Sequence, residues 1–184
     1  MKFLIISGNP KKDGLCFSIM NEIIRGASDG GAETQVLPTD GLDKCRCCGN
    51  GWGKCTEGYC SFGGDGFDQA QNDVKNADMI CIITPVYWGE MTENLKCFLD
   101  RLRRCEYGRN KALSGKQILL VASPGGSGGG MLPCLEQMER FCHHTGAVIF
   151  DYIGINRWNN DYKKIAAYSA AKAMAEGRKA GETV

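Results

Sequence analysis

After Met1 the chain continues with the stretch that decides the fold, Lys2-Phe3-Leu4-Ile5-Ile6-Ser7-Gly8-Asn9-Pro10-Lys11-Lys12-Asp13-Gly14-Leu15-Cys16-Phe17-Ser18. Its first part, Lys2 to Ile6, is short, apolar and β-branched, which is typical of a buried strand. Further on, Ile19 and Ile23 recur at helical spacing, and Gly26 is a typical helix stop. The stretch therefore predicts a strand, a loop and a helix in succession.

The loop between this strand and this helix has the features of a phosphate-binding loop. A helix N-terminus offers free backbone N–H groups and the positive end of the helix dipole to an anion. Gly8 and Gly14 permit tight turns, and Lys11 and Lys12 add positive charge. The loop has neither the Gly-Lys-Ser/Thr of a Walker loop nor the Gly-x-Gly-x-x-Gly dinucleotide fingerprint. Many strand–helix turns bind nothing, so the prediction of a phosphate site depends on the rest of the chain.

The rest of the chain alternates between predicted strands and predicted helices. Further strands are expected at residues 33–37, 79–83, 117–122 and 148–153, and further helices at residues 67–77, 92–104, 131–144 and 161–179. Such alternation predicts an α/β fold with a parallel sheet covered by helices on both faces. We expect a flavodoxin-like, doubly wound, five-stranded parallel sheet in the order 2-1-3-4-5.

Three unusual loops would meet at one edge of this sheet, because they follow its first, third and fourth strands. In this strand order they surround the switch point, where ligands bind. Tyr87 and Trp88 offer flat surfaces for a ring, and the run from Gly125 to Gly130 allows backbone to approach a planar edge closely. One phosphate and one planar ring system together indicate FMN. The alternative for Trp88 is that it caps the core at the sheet edge.

Composition narrows the function classes. The chain has 184 residues and a formal net charge of +1, so neither nucleic acid nor a membrane surface is an expected partner. We expect a single flavodoxin-like domain over residues 1–184, with a cysteine-rich insertion at about residues 43–66. No stretch is apolar enough to span a bilayer and no signal-peptide pattern is present, which predicts a cytoplasmic protein.

Two motifs carry a resemblance to a known family, Thr84-Pro85-Val86-Tyr87-Trp88-Gly89-Glu90-Met91-Thr92 and Leu95-Lys96-Cys97-Phe98-Leu99-Asp100-Arg101. They are the most specific part of a resemblance that covers nearly the whole chain. The chain resembles the NAD(P)H-dependent FMN reductases of the flavodoxin-like class, and especially their iron–sulfur flavoprotein branch. The resemblance implies non-covalently bound FMN, NADH or NADPH as hydride donor, and a homo-oligomer, either a dimer or a tetramer. It also implies an electron acceptor such as free flavin, a quinone or an azo compound. The chemistry is the cofactor's, so no catalytic acid or base is assigned.

The opening loop departs from the family's Gly-Ser-Pro-Arg-x-x-Gly-Asn-Thr. Asn9 stands at the Ser, Lys11 at the Arg, and Leu15-Cys16 at the Asn-Thr. Lys lacks the bidentate fork of Arg, and a Cys thiol is a weaker donor than a Thr hydroxyl. Backbone N–H groups must therefore do more, with Ser18 as a further donor if it faces the phosphate. The expected FMN-binding residues are Asn9, Lys11, Gly14, Leu15, Cys16, Ser18, Pro85, Val86, Tyr87, Trp88, Gly89, Pro124, Gly125 and Gly126.

Cysteine is unusually frequent for a chain expected in a reducing compartment. There are eleven, of which six are scattered and mostly fall in apolar segments as small hydrophobes, and five lie in one loop: Cys45, Cys47, Cys48, Cys55 and Cys60. The iron–sulfur branch carries Cys-x-x-Cys-x-x-Cys and a fourth Cys further on, whereas here Gly51 occupies the third position. Four candidate ligands remain, Cys45, Cys48, Cys55 and Cys60. They suit a 4Fe–4S cluster or zinc, and free or redox-active thiols are the third interpretation.

Two expectations concern how this region is held. The cysteine loop is long and poor in aliphatic residues, and each fixed residue costs about 1–2 kcal/mol of backbone entropy. We therefore expect metal ligation to offset that cost. We expect Arg101, Arg103 and Arg104, in contrast, to form a solvated helix end.

Three function classes follow from these observations. The first is an FMN-dependent oxidoreductase that passes electrons from NAD(P)H through bound FMN to a small-molecule acceptor. The second is an iron–sulfur flavoprotein electron carrier that serves a protein partner. The third is a non-enzymatic redox or metal sensor. Carriers of the flavodoxin type are commonly acidic, so the near-neutral charge favours the first class.

Overall fold

The computed structural model describes residues 1–108 and 111–181, in which five strands alternate with five α-helices. The strands are β1 (Lys2–Ser7), β2 (Glu33–Pro38), β3 (Met79–Val86), β4 (Gln117–Pro124) and β5 (Val148–Gly154). The helices are α1 (Gly14–Asp29), α2 (Phe67–Asn76), α3 (Glu93–Gly108), α4 (Met131–Thr145) and α5 (Asn160–Ala175). The quoted opening stretch thus forms a strand, a loop and a helix, as its periodicity predicts.

The strands form one parallel sheet in the order β2-β1-β3-β4-β5. This confirms the predicted flavodoxin-like α/β fold. The inner strands are almost continuously apolar, which suits a sheet covered on both faces. β2 and β5 lie at the edges, where more of their side chains are exposed.

Two hydrophobic clusters cover the two faces of the sheet, because successive side chains of a strand point to opposite faces. On one face, Leu4 and Ile6 of β1 pack with side chains of α2, α3 and α4. On the other, Phe3 and Ile5 of the same strand pack with α1 and α5. Each helix therefore buries one apolar stripe against the sheet. This packing fixes the sheet, and with it the ends of the strands from which the loops emerge.

The segment between β2 and α2 has little regular structure. Its one regular element is a short 3₁₀ helix, Lys54–Glu57, within residues 39–66, all of which the structure describes. This segment carries the five clustered cysteines. No helix within residues 1–108 and 111–181 is long and apolar enough to cross a membrane.

Candidate functional site

A cleft with a volume of about 820 Å³ lies at the C-terminal edge of the sheet, between the loops that follow β1, β3 and β4. The three loops singled out from the sequence therefore meet at one place. Every residue predicted to bind FMN lines the cleft except Ser18. Sequence reasoning missed five lining residues, Asp13, Ser123, Ser127, Gly129 and Gly130. Three of them adjoin predicted residues, and Gly129 and Gly130 belong to the glycine run already singled out, so the loop boundaries could have found all five.

The N-terminus of α1 opens into this cleft without a side-chain cap. Asp13 is the N-cap residue, and its side chain makes no capping hydrogen bond within the described part of the chain. Gly14 turns the chain into the helix with a φ of +78°, and the space where a Cβ would stand is open. The N–H groups of the first turn have no partner within the helix and so remain donors. Gly14, Leu15 and Cys16 thus present backbone donors where the phosphate is predicted.

The side chain of Asn9 shapes the phosphate loop from within. Its Nδ2 donates to the carbonyl of Lys11 at 2.7 Å, and its Oδ1 accepts from the Lys11 N–H at 3.3 Å. Just before it, Gly8 lies so close to α3 that a Cβ would be 2.7 Å from Thr92 Oγ1. The Thr92 hydroxyl donates to the Gly8 carbonyl at 2.9 Å. The loop is therefore fixed by its own contacts, and the exposed Lys11 side chain is left to face the cleft.

Two side chains do not take the positions that the motif suggests. Ser18 is outside the cleft, because its hydroxyl donates to the Leu15 carbonyl at 2.8 Å, one turn back in α1. Cys16 lines the cleft, but its side chain packs in the core between α1, α5 and the sheet. Burial raises the pKa of the Cys16 thiol to about 12, so it stays neutral. The donors that this loop offers to an anion are therefore backbone N–H groups and the side chain of Lys11.

Trp88 stands on a strained turn at the mouth of the cleft. Tyr87 and Glu90 exchange two backbone hydrogen bonds of 2.9 Å across Trp88 and Gly89. Both intervening residues have positive φ, +54° and +83°, as a type I′ turn requires. Trp88 is 103% exposed, so the alternative that it caps the core is wrong. A left-handed backbone conformation at a bulky residue costs about 1–3 kcal/mol. Residues with such strain are typically found at functional sites.

The loop after β4 approaches this turn closely. A Cβ at Gly130 would lie 2.7 Å from the Cα of Gly89, so only glycine fits there. A Cβ at Gly128 would lie 2.2 Å from the ring of Trp158, which therefore packs on the loop from the segment after β5. Gly125, in contrast, has open space where its Cβ would stand. The loop is held at its second half and leaves its first half open to the cleft.

The cysteine loop forms a second candidate site, away from the cleft. Cys45, Cys48, Cys55 and Cys60 all line one small cavity of about 20 Å³, and Cys105 of α3 lines it with them. From the sequence, Cys105 is one of the six scattered cysteines outside the cysteine loop. Within the described residues, no three His, Cys, Asp or Glu side chains are arranged to hold a metal ion. The donor set is of the soft, thiol type that suits zinc or iron–sulfur centres, but the cavity is about the size of one water molecule.

Arg101 lies at the centre of this region. It is only 2% exposed, so the prediction that it belongs to a solvated helix end is wrong. Its guanidinium pairs with the carboxylate of Asp65 and donates to the carbonyls of Asp43 at 2.8 Å and Phe62 at 3.1 Å. It also donates to Cys60 Sγ at 3.5 Å. These partners lie 36 to 58 positions away in the sequence, which is why helix position alone did not predict them.

Comparison with known proteins finds relatives that are named iron–sulfur flavoproteins. An iron–sulfur flavoprotein of Methanosarcina thermophila is 27% identical over 167 residues, which cover 86% of this chain and 83% of that protein. One of Methanocaldococcus jannaschii is 30% identical over 144 residues, or 77% of this chain and 71% of that protein.

Solved structures of low sequence identity share the fold. An apo NADH:FMN oxidoreductase has a TM-score of 0.69 at 18% identity, with 96% of this chain and 91% of that chain covered. An azoreductase from Bacillus anthracis has a TM-score of 0.68 at 14% identity, with 96% and 99% covered. The sequence matches the family described as NADPH-dependent FMN reductase over residues 1–160, a range that contains all three loops of the cleft. With this match over most of its length, the chain belongs to the NADPH-dependent FMN reductase family.

Proposed function

We propose that this protein passes electrons from NAD(P)H through bound FMN to a small-molecule acceptor such as a flavin or a quinone. The observation that carries the proposal is the 820 Å³ cleft at the switch point of the sheet, with an uncapped helix N-terminus at one end and an exposed aromatic turn at the other. This arrangement matches a ligand with one phosphate and one planar ring system. Family membership supports FMN as that ligand.

Each wall of the cleft has a distinct task in this proposal. The N–H groups of Gly14, Leu15 and Cys16 and the ammonium of Lys11 hold the phosphate. The segment Pro85–Gly89 and the segment Pro124–Gly126 line the edges of the isoalloxazine ring. FMN, when bound, accepts a hydride from the nicotinamide and passes electrons on. The protein binds, orients and shields the isoalloxazine and nicotinamide rings. The exposed turn at Trp88 leaves room for the electron donor and the electron acceptor at the mouth of the cleft.

The phosphate loop is tested by FMN titration of Lys11→Ala, with Lys12→Ala as the matched control. Lys11 lines the cleft and Lys12 does not. Loss of one charge-assisted contact should weaken binding by about 1.5 kcal/mol, or roughly tenfold in Kd, because Lys11 is exposed and partly screened. Flavin fluorescence quenching gives the Kd of each variant. Equal Kd values for the two variants would remove Lys11 from the site, and a wild-type protein that binds no FMN would refute the proposed function.

Donor and acceptor are identified by anaerobic kinetics on the FMN-loaded protein. We expect bleaching of the flavin absorption by NADH or NADPH, followed by recovery of that absorption on addition of free flavin, a quinone or an azo dye. Comparing the bleaching rates identifies the preferred nicotinamide. Bleaching by neither nicotinamide would contradict an NAD(P)H-dependent activity.

A second candidate function is that of an iron–sulfur flavoprotein electron carrier. It is favoured by the gathering of Cys45, Cys48, Cys55 and Cys60 at one cavity, and by relatives that bear the name iron–sulfur flavoprotein. The small cavity means that a four-iron cluster would need the loop to open. Iron, sulfide and zinc analysis of anaerobically prepared protein decides whether the cysteine loop holds a cluster, zinc or no metal. Iron and sulfide near four per chain support the carrier, zinc near one supports a structural site, and neither metal leaves a thiol-bearing flavoprotein.

We further propose a homo-oligomer, a dimer or a tetramer. Large apolar side chains are exposed near the cleft and on the adjoining α5: Tyr87, Trp88, Leu132, Trp158, Tyr162 and Ile165. Such a concentration of exposed apolar surface is typical of an interaction site. Light scattering after size-exclusion chromatography measures the mass directly. A mass of one chain at micromolar concentration would contradict the proposal.

A further inference from the structure

The cysteine loop has an anchor that the function proposed above does not use. Arg101 is the largest fully buried side chain of the described residues, and a buried charge is costly unless it is paired and hydrogen-bonded. Both terminal nitrogens of its guanidinium donate to partners in the cysteine loop. It pairs with Asp65, donates to two loop carbonyls, and stacks 4.0 Å from the centre of the Phe67 ring.

The partners of Arg101 span nearly the whole loop. Asp43 lies at its start, Phe62 and Asp65 lie at its end, and Phe67 is the first residue of α2. Asp65 in turn accepts from the backbone N–H of Asp43 at 2.9 Å, which closes the two ends of the loop on each other. One side chain on a rigid helix thus ties together the entry and the exit of a long loop whose one regular element is the short 3₁₀ helix Lys54–Glu57.

A neighbouring residue of the same helix holds the middle of the loop. Arg104 donates to the carbonyl of Gly51 and lies 5.1 Å from the centre of the Trp52 ring. Trp52 also contacts Tyr107, with ring centres 5.4 Å apart. The C-terminal half of α3 therefore contacts the loop at its start, middle and end. These contacts offset the ordering entropy that the sequence argument assigned to a metal.

The remaining bond of Arg101 reaches a thiol. Its Nη2 donates to Cys60 Sγ at 3.5 Å, and this sulfur lines the same cavity as Cys45, Cys48, Cys55 and Cys105. We propose that Arg101 is the positioning residue of the cysteine site: with Asp65 it keeps the loop folded without a metal and holds Cys60 Sγ at the shared cavity. The thiols then stay around one cavity in the metal-free protein, and a soft metal ion would have to draw them closer, since no three of them stand in ligand geometry within the described residues.

The first test measures the loop in chelator-treated protein by hydrogen exchange and by site-resolved alkylation. We expect residues 39–66 of the wild type to be protected and Cys60 to react more slowly than the exposed Cys47. In Arg101→Gln, the loop should lose protection and Cys60 should react faster by roughly tenfold or more, since opening of a segment controls access to its side chains. Arg103→Gln is the matched control, because Arg103 lies two residues along α3 in the groove beside α4.

Unreactive core thiols show that a variant remains folded. Cys16 and Cys81 are buried in the cluster between α1, α5 and the sheet, so they should stay unalkylated in every variant. If Arg101→Gln does not fold, Asp65→Asn removes the charge partner from the loop side and gives the same readouts. A wild-type loop that exchanges like an unfolded peptide after chelation would overturn the proposal, as would an Arg101→Gln variant with wild-type protection.

The second test separates positioning of Cys60 from support of the loop. Cobalt(II) added to chelator-treated wild type should give thiolate-to-cobalt charge-transfer absorption. Cys60→Ser should lose part of it, folded Arg101→Gln should lose at least that part, and the double variant should lose no more than Arg101→Gln alone. Additive losses, or no absorption in the wild type, would overturn the role at Cys60. Neither test requires flavin, so a protein that failed to bind FMN would refute the proposed function and leave this inference standing.

Discussion

Trp88 has a backbone conformation that tryptophan rarely adopts. Its φ of +54° is the first of two positive φ angles in a two-residue turn, where Asn, Asp or Gly is usual. The ring packs on no core residue, so the strain is not offset within the described part of the chain. Strain that persists without a packing reason indicates a role for the side chain at the cleft mouth.

Replacing this residue should separate stability from function. We expect Trp88→Gly to raise the free energy of unfolding of flavin-free protein by about 1 kcal/mol, or 2–4 °C in Tm, because glycine adopts positive φ without strain. Trp88→Ala keeps the strain and should show no such gain. Both variants lose the ring and should turn over acceptor more slowly with FMN bound. A Trp88→Gly variant with wild-type turnover would exclude the ring from the site.

At the scale of elements, the loop after β4 shows how glycine spacing divides one segment into two functions. Gly128 and Gly130 are packed against Trp158 and Gly89, so they hold the loop in place. Gly125 and Gly126 have open space beside them and face the cleft. The residues that hold the loop and the residues predicted to contact the flavin therefore occupy successive parts of the same loop.

This division predicts where a side chain would block the flavin. Gly125→Val should lower FMN affinity strongly while leaving thermal stability unchanged, because Gly125 lines the cleft and a Cβ built there meets no protein atom within 4 Å. Gly125→Ala, with a smaller side chain, should have a smaller effect. Gly126 is unsuitable, since its φ of +36° adds backbone strain to any substitution. Isothermal titration with FMN measures both variants, and full affinity in Gly125→Val would move the ring elsewhere.

The contact between α3 and the cysteine loop makes stability depend on pH. Burial raises the pKa of the Asp65 carboxyl, but hydrogen bonds from Arg101, Asp43 and Phe67 outweigh it and lower that pKa to about 2. The folded pKa lies below the unfolded value of about 3.9. The contribution of the pair to the free energy of unfolding is therefore complete above pH 4 and is lost as the pH falls toward 2.

Denaturant titrations between pH 5 and pH 2 measure this loss in the flavin-free protein. We expect the free energy of unfolding of wild type to fall more steeply below pH 4 than that of Asp65→Asn, which has no carboxyl to protonate. At neutral pH the variant should be the less stable of the two, because Arg101 loses its charge partner while still buried. Parallel pH profiles would contradict the pairing.

At the scale of the whole molecule, the two candidate sites lie at different parts of one helix. α3 begins beside the cleft, where Thr92 bonds to Gly8, and its second half contacts the cysteine loop. Arg101 and Cys105 come eight and twelve residues after Glu93, or about 12 and 18 Å along the helix axis. One rigid element therefore sets the separation between the cleft and the thiols, whichever function the thiols serve.

The sequence by itself determined the order and type of the elements and the loops that form the cleft. These follow from local patterns, namely apolar runs, helical spacing and glycine-rich turns, which act over a few neighbouring residues. From the strand order alone, the loops after β1, β3 and β4 had to meet, because parallel strands end at the same edge. The departures from the family motif add the prediction that backbone donors at the start of α1 dominate phosphate binding, and this stays a prediction.

Only the tertiary structure decided which polar side chains are used at each site. Ser18 bonds within its own helix, Arg101 is buried instead of solvated, and Cys105 joins the loop thiols. Each outcome depends on partners far away in the sequence or on a choice between competing hydrogen bonds, which no local pattern records. A guanidinium on a helix has the same sequence signature in water and in a protein interior; the presence of Asp65 within reach of Arg101 makes burial favourable.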